Sequence, residues 1–514
     1  MDDSWALFLA LLLIAAVAFI SKILYNPRRP GLKLPPGPKP WPVIGNLNLI
    51  GSIPHQSLHN LSQKHGQIIL LKFGKFSVMV ASSPEMAKQF LKTHDTVFAS
   101  RPALAAGKYT AYNYSDMTWA PYGPHWRQAR KIYMSEVFSP KRLESFEQIR
   151  IEERRNLVSR LFSLSGKPVV VRDHLSRYTL STISRMVLSN NYFGEDKFPD
   201  GVTLDELKGM LDEWFLLNGV RNIGDWIPWL DFLDLQGYVK KMKALNKKLD
   251  RFLSYVIDDH KARRNAAEKG RHGPVGRDDM VDVLVQLAED RTLDVKLTSD
   301  RMKGLLQDLL AGGTDTAAST LEWTINEILI HPYIIEKAKE ELNRVIGRNR
   351  WVEENDFSQL PYIDAIIMES MRLHPLVTLL APHCAIEDCN VAGYDISKET
   401  MVLINTWSIG RDPNAWDTPK KFLPERFLGK DIDILGSNFA LLPFGSGRRR
   451  CPGYNLGLKI VRTTLANLIH GFDLRLVKGM KREDISMEEE YGLTTHPKNP
   501  IAIIMEPTLP SHLY

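Results

Sequence analysis

The hydrophobic positions of this 514-residue chain change their spacing from one region to the next. Trp5 to Ile20 is an uninterrupted apolar run that extends through Ser21 and Lys22 to Tyr25. At about 16 to 21 residues it approaches the ~20 that a membrane-spanning helix needs. Asp2 and Asp3 precede it, and Lys22, Arg28, Arg29 and Lys33 follow. That bias predicts a single-pass anchor with the remaining chain on the cytosolic side. A cleaved signal peptide ending at Ala16-Val-Ala18 is the competing reading, but such a peptide begins with positive charge rather than two aspartates. The segment Leu34-Pro-Pro-Gly-Pro-Lys-Pro-Trp-Pro42 places five prolines in nine positions, so it is stiff, extended and unable to be helix interior.

Alternation over 68–82, interrupted at Gly74, predicts a hairpin. From 140 to 380 the pattern is helical, broken near 190–202, 219–237 and 267–277, with the last break a loop by its composition. Strand-like pieces return at Asn390–Ile396, Met401–Asn405 and Pro500–Met505. One helix is predicted from Ser299 to His331, stopped by Pro332 and about 50 Å long. Its interior carries Gly312-Gly313, which costs about 1 kcal/mol per glycine relative to alanine. Keeping both midway predicts a kink or the close approach of a ligand. The expected fold class is mainly α with small β-sheets. The expected divisions are an anchor over 1–25, a proline-rich hinge over 26–46 and one catalytic domain over 47–514.

Composition narrows this modestly. Hydrophobic residues make up 44% and charged residues 25%, ordinary for a large globular core. The net charge of +6 is far from a nucleic-acid-binding tail and fits an acidic protein partner or an anionic membrane surface. Three cysteines, Cys384, Cys389 and Cys451, form no disulfide framework and point to a reducing compartment. On that topology the sequons at Asn60 and Asn113 carry no glycan.

The chemistry concentrates at Phe444-Gly-Ser-Gly-Arg-Arg-Arg-Cys-Pro-Gly453. Glycines let the backbone turn tightly around Cys451, and a helix-like run follows from Tyr454 to His470. Neighbouring arginines and a helix N-terminus favour a thiolate over a thiol, which suits a sulfur bound to a cationic centre. Phe444, Gly447, Arg449, Cys451 and Gly453 match the haem-binding signature of cytochromes P450, and the chain is identified by resemblance as a member of that family. Ala311-Gly-Gly-Thr-Asp-Thr316 is similar to the family's oxygen-groove motif. Glu369-Ser-Met-Arg372 with Phe422-Leu-Pro-Glu-Arg-Phe427 is similar to its Glu-x-x-Arg and third-arginine elements, and Trp126 with Arg130 to its Trp-x-x-x-Arg element. Together with Asn222 to Gly237, these motifs resemble the plant A-type microsomal group, including flavonoid 3′-hydroxylase-like members.

The resemblance implies the cytochrome P450 fold, with a long central helix over haem b. It implies Cys451 as axial ligand of the iron, Thr316 and Asp315 as managers of protons, and Trp126, Arg130, His383 and Arg449 as partners of the haem propionates. It also implies Glu369, Arg372 and Arg426 as a structural charge network. Ala317, where relatives usually carry a second hydroxyl, departs from the pattern. No second cofactor-binding module is visible, so NADPH acts indirectly, through a reductase. Lys131, Lys141, Arg142, Arg448 and Lys459 are candidates for its docking face. The implied reaction inserts one oxygen atom from O2 into a small lipophilic plant metabolite, either a phenolic (flavonoid or lignan) or a terpenoid. The implied location is the endoplasmic reticulum membrane, with no nucleic-acid partner. Leu216, Leu305, Leu309, Val377, Leu379 and Leu493 are expected in the substrate pocket. A reductase-independent isomerase or dehydratase of the same family stays open, as does a non-catalytic haem-binding protein.

Overall fold

The computed structural model describes residues 3–24, 31–188, 202–268, 279–290, 292–430 and 432–514. The expected breaks at 190–202 and 267–277 lie almost wholly outside these residues. The third, 219–237, is seen: a helix ends at Gly219, and only a short turn over Ile223–Trp226 and a 3-10 segment over Pro228–Leu233 follow before Tyr238.

The hairpin forms as the alternation predicts. Ile68–Phe73 pairs antiparallel with Phe76–Ala81, and Gly74 turns the chain at φ +51°. This pair is half of a four-stranded sheet. Met401–Ile404 adds in parallel to Phe76–Ala81, and His383–Cys384 closes the order. A second sheet joins Pro168–Val170, Ala502–Pro507 and Phe472–Leu476, all antiparallel. Smaller pairs link Cys389–Val391 to Tyr394–Ile396 and Glu489–Tyr491 to Thr495–Pro497.

Helices supply the rest. The longest inward element is Ser299–Ile330, continuous over 32 residues. Thr298 caps it by accepting from the Arg301 N–H, and Asp300 sits in the first turn, where the helix dipole favours an acid. Pro332 opens the next helix and prevents continuation. Most side chains of the central helix are buried on all sides, so it runs through the core rather than over it.

Gly312 and Gly313 cause no break: the helix runs continuously through both. A Cβ on Gly313 would lie 2.5 Å from two side-chain carbons of Ile183, on helix Val171–Leu188; a Cβ on Gly312 would meet nothing within 4 Å. One glycine therefore admits a neighbouring helix, and the other keeps a wall of the central cavity bare.

The N-terminal run is helical over Asp3–Leu24, with Trp5, Leu7, Phe8, Leu9 and Leu11 through Ile14 exposed. Among the described residues no helix is long and apolar enough to cross a membrane.

Candidate active site: a cysteine loop and a glycine-notched helix share one cavity

The segment after Leu442 is built by local turns. The Gly445 N–H donates to the Leu442 carbonyl (3.1 Å), the Arg450 N–H to Gly447 (3.2 Å) and the Cys451 N–H to Phe444 (2.9 Å). Gly445 and Gly447 adopt φ +64° and +67°, where a side chain would be strained. Gly447 has a second reason to be glycine: a Cβ there would run into the Leu91 carbonyl and the Asp95 carboxylate. The loop is pinned from outside by Asp95, which accepts from Arg448 Nη1 at 2.6 Å. Helix Tyr454–Gly471 then begins at Gly453.

Cys451, Phe444, Arg449 and Gly453 line a cavity of about 350 Å³, within the ~300–1,000 Å³ range of small-molecule sites. Trp126, Arg130 and His383 line the same space, and so do Thr316, Gly312, Gly313 and Leu309 from the central helix. Gly447 does not reach the wall; it serves the turn.

Burial pushes the Cys451 thiol up. The Gly453 N–H and the Arg130 and Arg450 charges oppose this without overcoming it. The loop charges act in the expected direction, but desolvation is the larger effect, so a cationic centre against the sulfur would add to what favours its ionised form.

Three arginines with no acidic partner in hydrogen-bond contact surround the cavity. Arg449 donates to the carbonyls of Ala99 (2.6 Å), Met117 (3.1 Å) and Ala120 (2.6 Å), and its guanidinium lies 4.5 Å from the Trp126 ring centre. Arg130 donates to the Arg450 carbonyl at 2.6 Å. Arg101, a wall residue that sequence reasoning missed, donates to the carbonyls of Thr118, Ala381 and Pro382. Burial and the neighbouring Arg101 bring Arg449 down to about 8, and burial brings Arg101 down to about 10. His383 donates from Nδ1 to the Phe98 carbonyl (2.8 Å), and burial with the Arg101 charge brings it down to about 3. Such a donor set is short of anionic charge, and the two propionates of haem b fit it.

Thr316 donates to the Gly312 carbonyl at 2.7 Å. Asp315 stands behind the wall: one carboxylate oxygen accepts from Thr494 (2.7 Å) and the other from Ser319 (3.2 Å). Thr494 lines the cavity as well. The acid is thus linked to the cavity through two hydroxyl residues, Thr494 by a direct hydrogen bond and Thr316 by chain adjacency.

The pocket leucines divide. Leu309, Val377 and Leu493 line the cavity, but Leu216, Leu305 and Leu379 do not, a correction of the sequence reading. Leu216 is 52% exposed, because the inner face of its helix is taken by Trp214, Phe215 and Leu217. Leu305 lies beneath Tyr133, whose hydroxyl donates to its carbonyl at 2.6 Å, and Leu379 is buried against the Met401–Ile404 strand. Asp308 does line the wall, but its carboxylate accepts from the Met117 and Thr118 N–H groups (2.6 and 3.1 Å). Burial pushes it up to about 7, and burial raises neighbouring Asp116 as well.

Glu369, Arg372 and Arg426 meet in the core. Arg372 bonds both oxygens of Glu369 (2.7 and 2.8 Å), and Arg426 Nε adds a third bond at 3.0 Å. Both guanidiniums lie about 5–6 Å from the Trp416 ring centre. None of the three lines the cavity. Of the docking candidates, Arg448 is paired with Asp95 and Lys459 with Glu354, while Lys131 and Lys141 are exposed.

A half-buried cysteine loop, a cationic rim and a glycine-notched helix around one apolar cavity define a haem enzyme with a cysteine ligand that activates oxygen. Comparison places it: residues 35–504 match the cytochrome P450 family model, and the chain belongs to the cytochrome P450 family. It is 45% identical to trimethyltridecatetraene synthase of Zea mays over 98% of this chain and 94% of that protein. It is 41% identical to flavonoid 3′-monooxygenase of Petunia hybrida over 96% of both. A zebra fish cytochrome P450 solved with progesterone superposes with TM-score 0.74 at 25% identity, covering 88% of this chain and 99% of that one. The chain is a haem-thiolate monooxygenase that carries haem b, acts on a small lipophilic substrate and draws its electrons from NADPH through a reductase.

Proposed function

We propose that this enzyme inserts one oxygen atom into an apolar plant specialised metabolite, a terpenoid first and a phenolic second. The carrying observation is that Cys451 and Thr316 share a cavity whose distal lining is Ile183, Met186, Val187, Phe215, Leu309, Leu376, Val377 and Leu493. Asp308, next to Leu309 in that lining, is consumed by backbone donors, and the apolar side chains offer a hydrocarbon skeleton many contacts. Relatives at 45% and 44% identity are named for branched polyene hydrocarbons. The phenolic reading is favoured by the flavonoid 3′-monooxygenases at 41–42%.

In this reading Cys451 would ligate the haem iron, and Trp126, Arg130, His383, Arg449 and Arg101 would hold the propionates. Bound haem supplies the oxygen activation, which the thiolate's electron donation promotes. The protein's own task is proton management. Asp315, which accepts from the Thr494 hydroxyl and stands next to Thr316 in the chain, would pass protons toward the cavity through these two hydroxyls. Glu369, Arg372 and Arg426 hold the core rigid behind the site.

Membrane association belongs to the same proposal. Helix Asp3–Leu24 with its exposed apolar side chains would anchor the chain in the endoplasmic reticulum membrane, the domain facing the cytosol. Trp41, Trp229, Phe232, Leu233 and Leu235 are exposed as well, Phe232 at 82%, and would dip into the same bilayer.

The test is turnover in reductase-containing microsomes with NADPH and 18O2, offering an acyclic terpene alcohol and a flavanone side by side. The expected result is a product carrying one labelled oxygen, lost in Cys451→Ser and strongly uncoupled in Thr316→Ala. Turnover without reductase, or an undisturbed Thr316→Ala enzyme, would favour the isomerase or the non-catalytic reading.

A further inference from the structure

Seven residues along the central helix from Asp315, Glu322 is wholly buried, and the proposed mechanism assigns it nothing. Its Oε2 accepts from Arg172 Nε at 2.7 Å. Its Oε1 is buried and has no hydrogen-bond partner among the described residues. A carboxylate kept only to hold an arginine gains nothing by burying a second oxygen unsatisfied, which costs about 1–3 kcal/mol.

The surroundings give that oxygen a direction. Residues 315, 319 and 322 are spaced four and three apart, so their side chains share one face of the helix. Ser319 already donates to Asp315 at 3.2 Å, and Asp315 reaches the cavity through Thr494 at 2.7 Å. At the other end Arg172 is 21% exposed and also bonds the Pro497 carbonyl, so the ion pair lies where the buried row meets solvent.

We propose that Glu322 is a positioning residue for proton delivery, passing protons from solvent at Arg172 to Asp315 through the Ser319 hydroxyl and one bridging water. This rests on the monooxygenase reading above and extends it. The reaction consumes one dioxygen, two electrons and two protons, leaving one oxygen atom in the product and one in water. The electrons come from the reductase, and the relay moves protons only. The Glu322 carboxyl gives its proton to the bridging water, which passes one to Ser319 as that hydroxyl passes its own to Asp315. The carboxylate left behind faces the Arg172 charge and regains a proton from solvent there.

The charges around Glu322 suit the task. Burial pushes it up to about 7; Arg172 opposes, and the acids Asp315 on its own helix and Asp173 beside Arg172 push further up. A carboxyl that titrates near neutrality both takes and gives a proton readily.

The test is Glu322→Gln, which keeps the contact with Arg172 but has no proton to pass. The haem-loaded variant should give an unchanged carbon monoxide difference spectrum and unchanged substrate-binding spectral shift. Product formed per NADPH should fall about tenfold, a modest share of what proton transfer contributes to such steps, with a larger solvent isotope effect. An infrared pH titration should lose one protonated-carboxyl band that titrates near neutrality, a readout independent of turnover. Glu322→Asp should recover part of the coupling. Unchanged coupling and isotope effect in Glu322→Gln, or persistence of the band, overturns the relay. If Glu322→Gln fails to load haem, Ser319→Ala decides, since it cuts the row without touching the ion pair: normal coupling there refutes the proposal. Asp315→Asn and Thr316→Ala separate the two levels. If both are fully active the monooxygenase reading itself fails; if they are impaired while Glu322→Gln is not, only the relay fails.

Discussion

The two adjacent glycines of the central helix should respond to the same substitution with opposite signs. Replacing either by alanine in a helix interior gains about 1 kcal/mol from backbone preference alone. At Gly312 nothing stands within 4 Å of the new methyl, so that gain is kept and Gly312→Ala is the more stable protein. At Gly313 the methyl arrives 2.5 Å from Ile183 Cδ1 and Cγ1, roughly an ångström inside ordinary contact. Ile183 is 2% exposed and cannot swing outward. Overpacking of this kind costs about 1–3 kcal/mol, which cancels or exceeds the gain, so Gly313→Ala is destabilised by about 0–2 kcal/mol. Ile183→Ala removes all three contacting carbons, and in that background Gly313→Ala should become stabilising. Denaturation midpoints of the haem-loaded variants, taken under one set of conditions, read this directly. Equal shifts for the two glycine variants, or a Gly313→Ala effect unaltered by Ile183→Ala, would refute the assignment of Gly313 to helix packing and Gly312 to the cavity wall. Gly312→Ala should also lose turnover despite its stability, because its methyl enters the site.

Three further outcomes follow from particular contacts. Glu369→Leu leaves Arg372 and Arg426 buried without their counter-charge, at about 3–5 kcal/mol, and should yield little soluble protein with a carbon monoxide difference spectrum. His260 is buried; burial lowers its affinity for a proton, but the hydrogen bond (2.8 Å) and charge of Asp279 outweigh that, so its pKa is raised while Arg263 opposes and Asp282 stands close by. The stability it contributes is therefore full below the unfolded value of about 6.5 and lost as pH rises through the folded value. The stability difference between wild type and His260→Gln should shrink over that window. Phe232→Asp in a chain lacking residues 1–25 should shift protein from the membrane to the soluble fraction; no shift would remove Pro228–Leu233 from the membrane-facing surface.

The elements visible in the sequence were those whose signal is local. Gly74 between two alternating runs, and the proline-free stretch closed by Pro332, each specify their structure within a few residues. Pro168–Val170 could not be found that way: three residues become a strand because Ala502–Ile504, more than 300 positions away, pairs with them. Cys451 was legible because its loop is defined by glycines at fixed spacing. The pocket leucines were only half legible, since a leucine shows that a helix position is apolar but not which way that helix is turned. Leu309 faces the cavity while Leu305, one turn earlier, lies under Tyr133. Thr494 sits in an irregular segment where no periodicity operates, so its hydrogen bond to Asp315 shows only in the structure.

Arg101 was hidden for the same reason, although a lone charge between apolar Val97-Phe98-Ala99 and Pro102 is a weak signal that it is held inside. Its position carries an energetic argument. Arg101 lies close enough to Arg449 to lower its pKa, and both direct their donors at carbonyl oxygens alone. The nearest carboxylate charge acting on both is Asp116, whose own ionisation burial opposes and whose Oδ2 has no partner. Two buried like charges cost stability, and that cost is offset when haem brings its propionates between them. Arg101→Gln removes one charge while retaining donors for the Thr118 and Ala381 carbonyls. It should therefore change the folding of the protein little and its hold on haem much. Losing one charge-assisted hydrogen bond of about 1.5–3 kcal/mol predicts haem loss to an acceptor apoprotein about ten- to a hundredfold faster. If haem leaves Arg101→Gln at the wild-type rate, the guanidinium is a tie for loop Ala381–Pro382 and not part of the propionate site.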